Sequence, residues 1–274
     1  MKKKRYRPGA PRHTPLRPKP DAPARGTIWL YGTHAVAAAL ANPARRKRRL
    51  LATEEALEGP LAAAALGGIA VESIARAQID RVVPGAVHQG VALEAYPLAN
   101  PPLDSILEAA GPAPAGRRIV VVLDQVTDPH NVGAVLRSAA AFGALAVIGT
   151  DRHAPHESGA LAKAASGALD LVPYVRVVNL ARALGDLGDF GYWRIGLAAD
   201  AGPALASAEA TEAVALVLGA EGSGLRRLTR ETCDELRRLD LPPGAHGATL
   251  ALNVSIAAAV ALYELARPAL RIDP

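Results

Sequence analysis

The feature that most constrains the fold is a series of short apolar runs that alternate with helical stretches after Arg117. The first run, IVVVLD at 119–124, is dominated by β-branched residues, which is typical of a strand buried on both faces. Further apolar runs follow at 144–149, 171–177, 193–199 and 213–218, and residues 225–238 are predicted to form a charged helix. Strands that alternate with helices predict an α/β fold with a mostly parallel sheet and helices on both of its faces.

A smaller α/β pattern precedes this block. Short apolar runs predict strands at 28–30, 50–52, 69–71 and 91–95, with helices at 35–42 and 54–66. Proline-rich segments then bracket a short helix between Leu98 and Gly116, which is typical of a linker. We therefore expect a small domain at 27–97, a linker at 98–116 and a larger domain at 117–274.

The basic charge of the chain lies mainly at its amino terminus. Residues 1–26 hold nine Lys or Arg residues and one acidic residue, although the whole chain has a formal net charge of only +5. This Pro-rich tail has few large apolar side chains, so we expect it to be disordered. A flexible polycation binds phosphates by releasing counterions, which favours a nucleic-acid partner. A solubilising tail is the alternative.

A second basic run lies inside the small domain. Arg45, Arg46, Lys47, Arg48 and Arg49 form the densest positive charge outside the tail. Such a run is typical of a phosphate-binding surface. The alternative is a solvated segment at the start of a strand.

Polar residues stand where a plain α/β core does not need them. Asp128, His130 and Asn131 follow the first strand of the large domain, at the sheet edge where open α/β sheets bind ligands. Arg137 lies in the next helix among alanines. Because small neighbours favour close packing, we expect Arg137 to be desolvated and to have an anionic partner. A solvated surface residue is the alternative.

Two later segments add further polar residues at strand ends. Residues 214–225 run from a strand into a glycine-rich turn that contains Glu221. The glycines are ordered GxxGxG rather than GxGxxG, which disfavours a Rossmann dehydrogenase. Residues 239–264 run from a Pro/Gly loop through Asn253 and Ser255 into an Ala-rich helix. A tight turn and a helix cap are the structural alternatives at these two places.

Together, these segments resemble the three motifs of the SpoU family, the 2′-O-ribose methyltransferases with the trefoil-knotted SPOUT fold. Asn131 and Arg137 match the first motif, residues 219–222 the second and residues 252–255 the third. Residues 219–236 are similar to the branch of the family that methylates a guanosine ribose of bacterial 23S rRNA.

The amino-terminal block fits the same resemblance. Residues 31–53 and 87–97 are similar to the small substrate-binding domain of that branch, which is related to the L30e-like fold. The resemblance therefore implies a C-terminal trefoil-knotted SPOUT methyltransferase domain, preceded by a small L30e-like α/β domain.

The resemblance implies a cofactor and a set of site residues. The cofactor is S-adenosylmethionine, and its binding residues are Gly219, Gly222, Leu241, Leu252 and Ser255. The catalytic residues are Asn131, Arg137, Glu221 and Asn253, and Arg45–Arg49 would contact RNA.

Arg137 is the implied centre of the chemistry. Its pKa, above about 12, makes it a poor general base. We therefore expect Arg137 to act as an electrostatic clamp on an RNA phosphate and on the developing alkoxide. Asn131, Glu221 and Asn253 would hold Arg137 and the ribose in place.

The third motif departs from the family pattern. Leu241-Pro242-Pro243 replaces the usual opening, Ala251 replaces a Ser, and the segment is about two residues longer. Leu239 and Leu241 therefore remain alternatives for the cofactor contact.

Two further functions stay open. A tRNA ribose 2′-O-methyltransferase would share this chemistry, but the extra amino-terminal domain favours 23S rRNA. The altered third motif also allows a catalytically weakened RNA-binding relative.

The remaining expectations concern partners and location. The resemblance implies a homodimer. No apolar stretch of the sequence is long enough to span a membrane, and no His pair has convincing zinc spacing, so we expect no membrane and no metal. The single cysteine, Cys233, fits a reducing compartment, so we expect a cytoplasmic protein.

Overall fold

The structure is a computed structural model, and it describes residues 23–59, 61–62, 66, 68–110, 117–208, 211–241 and 252–267. Several predicted features fall partly or wholly outside these ranges. They are most of the predicted tail, part of the 54–66 helix, the second half of the linker, and the Pro/Gly loop of the third motif at 242–251.

The amino-terminal block contains a four-stranded mixed sheet. Its strands are β1 (Ile28–Tyr31), β2 (Lys47–Ala52), β3 (Ala70–Ser73) and β4 (Val91–Ala95), in the order β1-β4-β2-β3. Strand β4 is antiparallel to both neighbours, and β2 and β3 are parallel. Its helices are α1 (Thr33–Ala41), α2 (Glu54–Glu58) and α3 (Arg76–Val82). The four strands and α1 were predicted, α2 is shorter than predicted, and α3 was not predicted.

The carboxyl-terminal block contains a six-stranded sheet in which every pairing is parallel, as predicted. Its strands are β5 (Arg118–Asp124), β6 (Ala146–Thr150), β7 (Tyr174–Val177), β8 (Trp193–Leu197), β9 (Ala213–Gly219) and β10 (Glu235–Arg237). The strand order is β10-β8-β9-β5-β6-β7. Its helices are α4 (Leu103–Glu108), α5 (Pro129–Ala141), α6 (Gly159–Ala165), α7 (Leu180–Asp189), α8 (Arg227–Thr232) and α9 (Val254–Ala266).

One predicted helix is wrong in its second half. A single helix was predicted over 225–238, but α8 ends at Thr232 and the chain continues as β10. The Asp234 carboxylate accepts hydrogen bonds from the Arg194 backbone N–H at 2.8 Å and from its guanidinium. Leu236 packs against the core beside β8. These tertiary contacts outweigh the local helical pattern.

The apolar runs form strands buried on both faces, as β5 illustrates. Val121 and Leu123 face a core that includes residues of α5, α6 and α9. Val120 and Val122 face a second core that includes residues of α4 and α7. The first core also contains Leu30 of the small sheet, so apolar packing is continuous between the two blocks.

The strand order places two functional segments side by side. Strands β5 and β9 are neighbours, with Asp124 opposite Gly219 at their carboxyl ends. The turn after β5 leads into α5, and the turn after β9 is the glycine-rich segment. Among the described residues, no helix is both long and apolar enough to span a bilayer.

Candidate active site

Three predicted site residues form one hydrogen-bonded group, which we call the amide–carboxylate cluster: Asn131, Glu221 and Asn253. The Glu221 Oε1 atom accepts from Asn131 Nδ2 at 3.0 Å and from Asn253 Nδ2 at 2.5 Å. Asn253 Nδ2 also lies 3.1 Å from Asn131 Oδ1. Residues that are between 32 and 122 positions apart in sequence are therefore brought together at the carboxyl edge of the parallel sheet.

Asn253 also begins a helix. Its Oδ1 atom accepts from the Ser255 backbone N–H at 2.8 Å and from the Ser255 hydroxyl at 2.6 Å, so Asn253 is the N-cap of α9. The cap fixes the side chain, and its amide N–H groups are then directed at Glu221 and Asn131. Asn253 is therefore both a helix cap and a member of the amide–carboxylate cluster.

The turn after β9 requires its glycines. A Cβ atom on Gly219 would lie 2.1 Å from the Gly224 carbonyl carbon, because the turn folds back onto the end of the strand. Gly222 and Gly224 have φ angles of 80° and 65°, in the region that glycine occupies without strain. This geometry holds Glu221 above the strand ends.

An ion pair between the buried Asp124 and the half-exposed Arg226 anchors the same turn. Asp124 is fully buried at the end of β5 and accepts from the Arg226 backbone N–H at 3.0 Å and from its Nε at 2.7 Å. Sequence analysis missed this pair. The available signal was an acidic residue at the end of a strand buried on both faces, where a carboxylate needs a cationic partner.

Beside the amide–carboxylate cluster lies a cavity of about 640 Å³. Its walls are mainly apolar side chains and the glycine-rich backbone, and they include Leu197, Leu218, Gly219, Gly222, Leu239, Leu241, Leu252 and Ala257. The volume lies in the usual range for small-molecule and cofactor sites, about 300–1,000 Å³. Both Leu239 and Leu241 line the cavity, so both remain alternatives for the cofactor contact.

Ser255 has a structural role at the same place. It is the second residue of α9, and its hydroxyl donates to Asn253, which caps that helix. Among the described residues that line the cavity, its neighbour Val254 is present and Ser255 is not, and its contact with the cofactor stays a prediction.

Arg137 is not a member of the amide–carboxylate cluster. It is exposed, and within the part of the chain that the structure describes it makes no hydrogen bond or ion pair. The prediction of a desolvated Arg137 with an anionic partner is therefore wrong for this chain alone. Helix α5 buries Val132, Val135 and Leu136 instead, which leaves Arg137 on the outer side with its donors available.

Arg45 contradicts its predicted RNA contact. Its side chain has no exposed surface, and it forms ion pairs with Glu157 and Asp170 of the large domain. Burial alone would lower the pKa of Arg45, but hydrogen bonds and charge from these carboxylates raise it. A buried and compensated guanidinium cannot reach a phosphate, so Arg45 is removed from the predicted RNA-binding set.

The other four residues of the basic run differ in availability. Arg46 is exposed and its guanidinium lies 4.3 Å from the centre of the Tyr96 ring. Lys47 is partly exposed. Arg48 and Arg49 both donate to the buried Glu94 carboxylate, at 2.9 and 2.7 Å, and Arg49 is the less exposed of the two.

These contacts perturb Glu94 strongly. Burial would raise the pKa of Glu94, but hydrogen bonds from the Ala24 N–H, Arg49, Thr27 and Arg48 lower it to about 2. Arg48 and Arg49 thus contribute to the structure of the small domain, and Arg46 and Lys47 present the more available charge.

The geometry defines the class of protein. It has a parallel α/β domain with a cofactor-sized cavity and a polar cluster at the sheet edge, and a second domain with a basic strand. Residues 118–263 match the SpoU rRNA methylase family, and residues 29–101 match the RNA 2′-O ribose methyltransferase substrate-binding family. The chain therefore belongs to the SpoU rRNA methylase family.

Individual relatives agree with this assignment. The chain is 41% identical over 244 residues to the 23S rRNA (guanosine-2′-O-)-methyltransferase RlmB of Xanthomonas campestris pv. campestris, which covers 87% of this chain and 96% of that protein. The enzyme of the same name from Photobacterium profundum is 37% identical over 245 residues, with the same coverage.

A solved structure shares the fold. The crystal structure of the SpoU methyltransferase AviRb from Streptomyces viridochromogenes, in complex with the cofactor AdoMet, matches with a TM-score of 0.73 and 20% identity. The match covers 90% of this chain and 92% of that one. It therefore includes both α/β blocks and supports their arrangement.

Proposed function

We propose that the protein transfers a methyl group from S-adenosylmethionine to the ribose 2′-hydroxyl of a guanosine in 23S rRNA. The observation that carries the proposal is the amide–carboxylate cluster beside the cofactor-sized cavity, with Asn131 and Glu221 at 3.0 Å. The 41% identity to a 23S rRNA guanosine methyltransferase over 96% of that relative supports the substrate.

The cavity fits the proposed cofactor. The backbone at Gly219 and Gly222 lines the cavity, and Leu241 and Leu252 supply apolar walls for a flat base. We assign these four residues to S-adenosylmethionine. When bound, this cofactor supplies an electrophilic methyl group on a sulfonium centre.

The residues of the chain must then prepare the ribose hydroxyl. The amides of Asn131 and Asn253 converge on Glu221, which fixes all three side chains before substrate binds. Arg137 has free donors for an RNA phosphate and for negative charge that develops on the 2′-oxygen. We therefore assign Arg137 to electrostatic stabilisation rather than to proton abstraction.

We assign the RNA-binding surface to the small domain. Arg46, Lys47 and the exposed part of Arg48 carry its available positive charge. Phosphate contacts of this kind position an RNA without reading its sequence. The tail at 1–26 adds further salt-dependent affinity in this proposal.

The finer architecture is also proposed. We infer a trefoil knot in the domain at 117–274 and an L30e-like fold in the domain at 27–97, with a linker at 98–116. A homodimer is supported by α9, which exposes Ile256, Val260 and Tyr263 at helical spacing. We propose a cytoplasmic location, in keeping with the single cysteine of the sequence.

The experiment is a map of 2′-O-methylation. Unmodified 23S rRNA and tRNA are each incubated with the purified protein and S-adenosylmethionine, and methylated riboses are located by primer extension at low nucleotide concentration. One methylated guanosine in 23S rRNA is expected. A methyl group in tRNA alone would overturn the substrate assignment. Binding of both ligands without transfer would favour the weakened RNA-binding alternative.

A further inference from the structure

The two domains are joined by a buried ionic group, which we call the Arg45 latch: Arg45, Glu157 and Asp170. Arg45 Nε and Nη2 donate to the two carboxylate oxygens of Asp170 at 2.9 and 3.0 Å, in a bidentate pair. Arg45 Nη1 donates to Glu157. The exposed fractions of the three side chains are 0%, 10% and 2% in that order, so the latch is almost fully removed from water.

Neighbouring groups complete the latch from the small-domain side. Asn42 Nδ2 donates to Asp170 Oδ1 at 3.0 Å, and the Leu98 backbone N–H donates to Glu157 Oε2 at 2.8 Å. Both carboxylates of the large domain are therefore bonded to groups of the small domain and the start of the linker.

Close packing surrounds the latch. A Cβ atom on Gly159 of α6 would lie 2.4 Å from the Trp29 carbonyl oxygen of β1, so α6 and β1 are in direct contact. Lys163 of α6 donates to Gln89 of the small domain. An apolar contact alone tolerates sliding, whereas a bidentate guanidinium–carboxylate pair has one favourable geometry.

Tyr96 connects the latch to the basic surface. Its carbonyl oxygen accepts from Arg45 Nη1 at 3.2 Å, and its backbone N–H donates to the Arg46 carbonyl at 2.9 Å. Its ring lies under the exposed Arg46 guanidinium. The position of Arg46 is therefore coupled to a group that is fixed to the large domain.

We propose that Arg45 is a positioning residue for RNA: through the latch it fixes the basic surface of β2 at one place relative to the methyl-transfer site. Arg45 itself does not touch RNA. The RNA part of this inference rests on the proposed function, whereas the fixed domain orientation does not. A phosphate held at a fixed distance from the reacting ribose improves productive binding more than it affects cofactor binding.

Matched variants on both sides of the interface test the role. Arg45→Met and Asp170→Asn should each raise the KM for 23S rRNA roughly 10- to 100-fold, with the Kd for S-adenosylmethionine unchanged. Glu157→Gln should also raise the KM for 23S rRNA, but by a smaller factor. If Arg45 contacted RNA, Asp170→Asn would leave this KM near its wild-type value, which would overturn the proposal.

The salt dependence of RNA affinity separates positioning from phosphate contact. Arg46→Met should reduce the slope of log affinity against log salt by about one. Arg45→Met should weaken binding and leave that slope unchanged, because no counterion is released at a buried residue. A reduced slope in Arg45→Met would contradict the proposal. Arg45→Lys, which keeps the charge without the fork, should restore only part of the affinity.

Domain orientation is measured independently of activity. Spin labels at Arg81→Cys and Arg182→Cys, in a Cys233→Ser background, report one interdomain distance by double electron–electron resonance. The wild-type latch should give a narrow distribution, and Asp170→Asn a broader one in protein that still shows a cooperative thermal transition. An equally narrow distribution would overturn the latch. The two proposals can also fail separately. If Asp170→Asn broadens the distance distribution but the wild-type protein methylates no RNA, the latch stands and only the proposed function is refuted.

Discussion

The amide–carboxylate cluster and the Arg45 latch both contain carboxylates in hydrogen-bonded groups, yet they differ in burial and in whether a cation pairs with those carboxylates. The cluster contains one carboxylate and two amides, at an exposed edge of the sheet beside a cavity. The latch contains one cation and two carboxylates, almost fully buried between domains. An exposed carboxylate without a cationic partner is available for a ligand, whereas buried carboxylates that share a guanidinium hold structure in place.

The largest effect is expected for Arg137→Ala, which tests the difference between exposed groups that act on a ligand and buried groups that hold structure. We expect kcat to fall roughly 10²- to 10³-fold, because the free guanidinium no longer stabilises charge on the ribose oxygen. The Kd for S-adenosylmethionine, measured by calorimetry, should not change. Arg182→Ala is the matched control, because it removes an exposed arginine from a different helix, α7. It should retain near-normal turnover. Near-normal turnover in Arg137→Ala would remove it from the chemistry.

Glu94 extends the comparison, because it is a buried carboxylate that we assign to structure. Its pKa of about 2 in the folded chain lies below the ordinary 4.5. The resulting stabilisation is fully present above pH 4.5 and is lost as the pH falls towards 2. The shift corresponds to about 3 kcal/mol in the free energy of unfolding.

The measurement is denaturant unfolding as a function of pH. The free energy of unfolding of wild type should fall in this acid window more steeply than that of Glu94→Gln, in which the titrating group is gone. Parallel pH profiles for the two proteins would show that Glu94 does not contribute as assigned.

Gly219 tests whether the cavity wall depends on close backbone packing. In Gly219→Ala the new methyl group meets the Gly224 backbone, so the turn must shift and the Kd for S-adenosylmethionine should rise at least about tenfold. Gly185→Ala is the control, since nothing lies within 4 Å of its Cβ position in α7. It should stabilise the protein by about 0.4–1 kcal/mol. Unchanged cofactor affinity in Gly219→Ala would contradict this role.

The smallest expected effect is on stability, at Asn253. Two substitutions there distinguish its role as the α9 cap from its role in the amide–carboxylate cluster. Asn253→Ala should lower the free energy of unfolding by about 1 kcal/mol through loss of the α9 cap. Asn253→Asp keeps a capping oxygen but places a second carboxylate beside Glu221. It should therefore be more stable than Asn253→Ala near neutral pH but no more active. Thermal denaturation and methyl-transfer assays on both variants check this, and higher activity in Asn253→Asp would contradict it.

The sequence predicted the parallel sheet well, because runs such as 119–124 are apolar on both strand faces and leave few alternatives. The resemblance of three segments to the SpoU motifs predicted Asn131, Glu221 and Asn253 as one site, and the structure brings these side chains together. The sequence-based prediction failed for β10, where contacts of Asp234 and Leu236 with β8 determine the local structure.

The basic run shows why local charge is a poor guide to burial. Arg45 and Arg46 are adjacent and chemically identical, but only Arg46 is exposed. The difference comes from Asp170 and Glu157, which lie more than 100 residues away in sequence. No pattern within residues 45–49 indicates which arginine those carboxylates bind. Similarly, the small neighbours of Arg137 indicated close packing on several faces, yet of the alanines at 134 and 139–141 only Ala139 is buried, and Arg137 is exposed.

The most direct test of the division is a steady-state methylation assay that compares Glu221→Gln with Asp170→Asn over a range of rRNA concentrations at saturating S-adenosylmethionine. We expect Glu221→Gln to lower kcat with little change in the KM for RNA. We expect Asp170→Asn to raise that KM and to change kcat much less. The same loss of kcat at an unchanged KM in both variants would contradict the division between a reacting cluster and a positioning latch.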